Sequence, residues 1–145
     1  MEKRILNIDL DELCDAMEDN TYEHEYYLDL ETGEIMFVSE YLDDEETGEL
    51  KDRVEEDLDR YEEIPKVGSH EAYVDMEDFI GTVDDERLVE LLEVAIDGKG
   101  AFRRFQNVLR NYPEDRKRWF EFKGDRTKQR VLGWLDDINV TISED

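Results

Sequence analysis

Two groups of side chains in this sequence could do chemistry, and they carry opposite charge. The first is a basic run near the C-terminal end: Lys99, Arg103, Arg104, Arg110, Arg116, Lys117, Arg118, Lys123, Arg126, Lys128 and Arg130, interleaved with Phe102, Phe105, Trp119, Phe120 and Phe122. Cations alternating with aromatics suit single-stranded nucleic acid, whose phosphates pair with the cations while its bases stack on the rings. Gly98-Lys99-Gly100 leads into a helix start, where backbone N–H groups favour an anion. Lys99, Arg103, Arg104, Arg116 and Arg118 are therefore the candidate anion-binding residues. The segment is not a phosphate-binding loop of the G-x-x-x-x-G-K-[ST] kind, and no strand precedes it. Helical spacing also predicts that the aromatics are mostly core and the cations mostly outer face.

The second group is acidic. Asp43, Asp44, Glu45, Glu46, Glu49, Asp52, Glu55, Glu56, Asp57 and Asp59 crowd into one stretch and form the candidate acidic interaction surface. A calcium loop needs alternating acids, a central glycine and a closing glutamate; here the aspartates are adjacent and the closing glutamate is missing. Paired carboxylates for acid–base catalysis require one carboxyl in a dry pocket, and with 43 acidic residues spacing alone singles out no pair. His24 and His70 are the only histidines and Cys14 the only cysteine. His24 lies between acids in a strand pattern and is expected to face solvent. Cys14 falls on an apolar helix face and reads as a small buried side chain. No catalytic residue, metal ligand or cofactor is assigned.

The elements that must position these groups follow from composition and period. The chain has 145 residues, about one domain's length, with 43 acidic and 18 basic residues and a net charge of −25. Residues 1–100 hold 35 of the acids and 8 of the bases, whereas residues 101–145 hold 8 and 10. Low hydrophobicity with high net charge is a signature of disorder, but 10% aromatics and clear apolar periods predict a folded chain with a thin core. One cysteine excludes an internal disulfide. The basic pair near the start has no apolar run behind it, and no stretch approaches the ~18 apolar residues of a membrane span. A cytoplasmic location is expected.

Asp9 and Glu12 open a helix carrying Leu10, Leu13, Cys14 and Met17. Glu23 to Ser39 reads as a β-hairpin around Glu31-Thr32-Gly33-Glu34, with Tyr61 to Ile64 as a third strand. Leu50, Val54 and Leu58 mark a short solvated helix between them. From Ser69 the pattern is helical: Ser69 caps a helix with Tyr73, Met76, Phe79, Ile80 and Val83 inward. Asp84 or Asp85 starts the next, with Leu88, Leu91, Leu92, Ala95 and Ile96 on one face. A third stripe comprises Phe102, Phe105, Val108 and Leu109. Pro113 opens a fourth helix with Trp119, Phe120 and Phe122 inward. Gly124 is expected to interrupt it before Val131, Leu132, Leu135 and Ile138. The predicted class is α+β: an N-terminal helix and hairpin or three-stranded antiparallel sheet (residues 9–64) packed on a bundle of about four helices (residues 69–138), in a single domain.

The segments LDELCDAMED (10–19), YYLDLETGEIMFVS (26–39), DRYEEIP (59–65), YVDMEDFIGTVDDERLVELLEVAIDGKGAFRRFQNVL (73–109) and YPEDRKRWFEF (112–122) together resemble the bacterial uncharacterised protein family 0158. The resemblance runs from about Leu10 to Leu135. It implies an intracellular bacterial or phage-borne protein and brings no catalytic residue with it. From the residues themselves the expected function is that of a non-enzymatic acidic interaction domain. Its partner would be a protein with a basic surface, such as a nucleic-acid-binding protein that the acidic surface mimics or inhibits. The alternative is direct contact with nucleic acid through the Lys99–Arg130 segment, and a third is a carboxylate- or metal-dependent enzyme.

Overall fold

The computed structural model describes residues 3–21, 23–39 and 45–143. By its internal contacts the chain divides into two units: residues 1–67 with 127–145, and residues 68–126. The fold class is α+β, as read from the sequence.

In the first unit, β1 (Arg4–Leu6) precedes α1 (Leu10–Glu18), the hairpin β2 (His24–Asp29) and β3 (Ile35–Ser39), then α2 (Glu45–Glu56) and β4 (Tyr61–Glu63). The sheet order is β3-β2-β4, antiparallel throughout. Tyr26 stands opposite Phe37, and Leu28 lies between Ile35 and Glu62. The hairpin loop needs Gly33, whose φ is +80° and whose absent Cβ would lie 2.5 Å from the Asn7 carbonyl oxygen; only glycine takes that backbone without strain. A strand pair not anticipated from the sequence joins β1 to β5 (Val140–Ile142) in parallel, Arg4 opposite Val140. Asn139, at φ +60°, turns the chain into β5, and its carbonyl accepts the Arg4 N–H at 2.8 Å. The core here is aliphatic: Leu6, Ile8, Leu13, Met17, Leu28 and Leu30 pack with Ile64, Val131, Leu135 and Val140. A smaller cluster of Met36, Val54 and Tyr61 backs the sheet. Leu58 follows the end of α2 and is exposed, so the expected Leu50–Val54–Leu58 stripe stops at Val54.

The second unit holds α3 (Ser69–Ile80), α4 (Glu86–Ala95), α5 (Ala101–Leu109) and the first half of α6 (Pro113–Asp137). The cap of α3 is Gly68 rather than Ser69: its N–H donates to the Glu71 carboxylate at 3.2 Å. Asp85 caps α4 through the Arg87 and Leu88 N–H groups. Gly98 and Gly100 take φ of +91° and +77° between α4 and α5. The core is aromatic. Phe79, Phe105, Trp119 and Phe122 meet with ring centroids 4.8–6.3 Å apart, among Met76, Leu88, Leu92 and Leu109. All but the stacked Trp119–Phe122 pair are edge-to-face, and such ring contacts add to the burial of the rings.

Two sequence expectations fail along α5 and α6. Gly124 does not interrupt it; the helix runs unbroken for 25 residues, because one interior glycine costs only about 1 kcal/mol. Three residues assigned inward are half-exposed, namely Phe102 (45%), Phe120 (47%) and Leu132 (46%). Adjacent apolar residues on a helix diverge by about 100°, so one of each pair turns outward.

Candidate functional site

The acidic surface of the first unit is built on α2 and the turn after it. Glu49, Asp52, Glu55, Glu56, Asp57 and Asp59 are all exposed. Asp43 and Asp44, and the side chains of Glu45 and Glu46, lie outside the described residues. Val54 is buried and Leu50 packs beside it, which turns the opposite face outward. On that face Glu49, Asp52 and Glu56 follow at helical spacing of three and four. Like charges at these spacings destabilise a helix by about 0.2–0.5 kcal/mol per pair. Glu55 and Glu56 also sit in the last turn, where the helix dipole disfavours anions. Among the described residues, none of the six carboxylates makes an ion pair. Arg53, the cation in the last turn, donates instead to the Tyr61 hydroxyl at 3.3 Å.

Elsewhere in this unit the carboxylates are tied down. Asp29 is fully buried and takes two hydrogen bonds from Arg60, at 3.0 and 2.8 Å, plus the N–H groups of Glu31 and Thr32. Burial pushes its carboxyl up, but Arg60 and the amides outweigh this and bring its pKa to about 2. Asp19 follows α1 and accepts from the Tyr26 hydroxyl at 2.6 Å and His24 Nδ1 at 2.7 Å. Those bonds, Tyr26 foremost, hold its carboxyl well below the usual range. Burial and the same carboxylate push Tyr26 up to about 12. The Phe37 ring lies edge-on to His24 at 4.9 Å. His24 is thus half-buried and partnered, a correction to the solvent-facing expectation. The strand spacing of His24 and Tyr26, two residues apart and therefore on one face, was the signal that could have revealed this cluster.

An open cleft of about 460 Å³ is lined by Asn7, Asp9, Glu12, Thr32, Gly33, Glu34 and Ile35, and one oxygen of Asp9 is engaged in capping α1. Among the described residues the displaced carboxyls, Asp19, Asp29 and Asp136, move down, opposite to what an acid catalyst needs. Among the described residues no three of His, Cys, Asp and Glu are grouped to hold a metal ion. Cys14 is half-buried. Burial first, then Glu18, Asp11 and Asp15, raise its thiol, away from the thiolate that reactivity requires. No helix among the described residues is long and apolar enough to cross a membrane.

In the second unit the candidate anion-binding residues separate into two sets. Arg104 donates to the carbonyls of Ala95 and Asp97, at 3.0 and 2.6 Å, and so closes the end of α4. Arg118 bonds Asp115 and both oxygens of Thr82, each at 3.1 Å, and lies over the Phe79 ring. Lys99, Arg103 and Arg116 are exposed, and Arg116 stacks on Phe120 at 5.2 Å.

The sequence model described as Uncharacterised protein family (UPF0158) matches residues 3–145. The chain belongs to that family. It is 28% identical to a UPF0158 protein of Pseudomonas aeruginosa over 137 residues, covering 94% of this chain and 86% of the relative. It is 29% identical to a UPF0158 protein of Chlamydia trachomatis over 125 residues, covering 85% of this chain but only 38% of the relative. A Chlamydia muridarum UPF0158 protein is 28% identical, with 37% of its length covered. This UPF0158 chain therefore spans well under half of its chlamydial relatives. No solved structure matches it.

Proposed function

We propose that this UPF0158 chain is a non-enzymatic interaction domain whose first unit docks the basic surface of a partner protein through α2 and the turn that follows. The observation that carries this reading is the row of exposed carboxylates from Glu49 to Asp59, held against helix electrostatics without an ion-pairing cation among the described residues. Within one unit, Asp29 and Asp19 are held by partners from the fold itself; the α2 row is left to solvent. A basic partner would relieve that repulsion, so docking and helix stability are coupled. Carboxylates on a rigid helix present negative charge at intervals, as a phosphate backbone does, which favours partners built to hold nucleic acid.

The test is capture from nuclease-treated bacterial lysate on the immobilised full chain, at low salt and at roughly 1 M, where charge is felt over only about 3 Å. Partners should bind at low salt, leave at high salt, and fail to bind a variant carrying Glu49→Lys, Asp52→Lys and Glu56→Lys. Equal capture by the variant would overturn the reading, as would loss of every partner on nuclease treatment.

A further inference from the structure

The second unit carries a surface of the opposite kind. Its residues include 14 acids and 10 bases, a net of −4, against 29 and 8, a net of −21, in the first. Within it the charge is segregated. Although 43 of the 145 residues are acidic, the 16 from Gly98 to Pro113 include none. The outward face of α5 presents Phe102, Arg103, Asn107 and Arg110, all exposed; α6 adds Arg116, Lys117 and Phe120, also exposed. Arg104, Arg118 and Arg126 are engaged within the unit. Among the described residues the side chains of Arg103, Arg110, Arg116 and Lys117 make no ion pair or hydrogen bond. The outward faces of α5 and α6 thus each carry uncommitted cations and one half-exposed phenylalanine, that of α6 already under a guanidinium.

We propose that this face of α5 and the first half of α6 binds single-stranded nucleic acid. The cations alone would suit any polyanion, and the rings decide between them. A duplex keeps its base faces stacked inside and offers Phe102 and Phe120 nothing planar, and an acidic peptide leaves them equally bare. An unpaired strand can place a base on a phenyl ring and its phosphate on the neighbouring cation, the combination that binds single strands irrespective of sequence. The whole chain's charge of −25 opposes approach, but at physiological salt that repulsion is felt over only about 8 Å, so contact is governed by the local face. This surface shares no residue with α2 and does not depend on the proposed docking there.

The test uses the full chain and fluorescently labelled oligo-dT and oligo-U of about 20 nucleotides, with a duplex of equal length as control, read by anisotropy. At least one single strand should bind more tightly than the duplex. Phe120→Leu should weaken binding about tenfold and Phe120→Trp should retain it, since stacking on one ring contributes on that order. Lys117→Gln should lower the slope of log affinity against log salt by about 0.7, one phosphate contact's worth. Arg116→Glu with Lys117→Glu should abolish binding. The triple lysine variant of α2 should bind the strand undiminished, which separates this surface from the docking surface. Failure of both strands to bind at low salt overturns the proposal, as do equal affinity for the duplex and indifference to Phe120→Leu. So does a shift in sedimentation of the protein alone on Arg116→Glu, which would mean that a second copy occupies the face.

Discussion

The two units hold themselves together by different physics. The first has an aliphatic core of small and medium side chains and supplements it with polar ties: Arg60 on Asp29, Tyr26 and His24 on Asp19, and Thr127 on Glu18 at 2.6 Å. The second relies on four interlocking rings and uses its arginines as caps and lids, Arg104 at the end of α4 and Arg118 over Phe79. The contrast shows how a chain with 43 acids and 18 bases allots scarce cations. In the first unit Arg60 neutralises the buried Asp29; in the second Arg126 reaches the buried Asp75 and its neighbour Asp78, Arg104 and Arg118 close helix ends, and the remainder stay outward. The two tryptophans fall one to each unit, Trp119 in the second and Trp134 in the first, so each unit's unfolding has its own optical reporter.

The largest effect should come from the aromatic core. Phe105→Ala removes a fully buried ring and should cost about 3–5 kcal/mol, seen in urea melts followed by Trp119 fluorescence in a Trp134→Phe background. Next is the ionic tie. Asp29→Asn should cost about 2 kcal/mol at neutral pH, the worth of a carboxyl held near 2 instead of its ordinary value. Because the folded pKa is depressed, that stability is complete above about pH 4 and lost as pH falls toward 2. The gap between wild type and variant should therefore close over that range, and a gap that persists at pH 2 would assign the loss to packing. Smaller and opposite in sign, Asp52→Lys should stabilise the chain by about 1 kcal/mol, turning repulsion with Glu49, Glu55 and Glu56 into attraction. A thermal melt reads it, and gain of stability with loss of docking would mark the α2 row as kept for binding. The smallest is Gly124→Ala, whose added methyl meets nothing within 4 Å; it should gain about 0.5–1 kcal/mol.

Much of the secondary structure was legible in the sequence, the contrast between the units much less. Long periodic segments announced α3 to α6, the Glu31–Glu34 turn announced the hairpin, and Tyr61 to Ile64 was correctly placed as a third strand. The parallel β1–β5 pair was not legible, because three-residue strands show no period and their partners lie 136 positions apart. The Asp19–His24–Tyr26 cluster was missed because acids surround it in sequence and only the turn after α1 brings them to one carboxylate. The fate of individual arginines was equally hidden, since Arg103 and Arg104 are neighbours in sequence but one is exposed and the other caps a helix. Phe120 was assigned inward with Trp119, and its exposure depends on helical phase that two adjacent rings leave ambiguous.

The passage of α6 through both units, its residues to Arg126 in one and from Thr127 in the other, has a consequence for synthesis. The second unit is a single uninterrupted segment whose buried cluster lies wholly between Met76 and Trp119. It can close as soon as that segment has left the ribosome. The first unit must wait for Val131, Leu135 and Val140, the last buried residues to be translated. Until then its leading 67 residues trail in water as an unfinished chain. Residues 1–67 hold 25 acids against 6 bases, a net charge that sets such chains repelling one another until Val131, Leu135 and Val140 arrive to close the core.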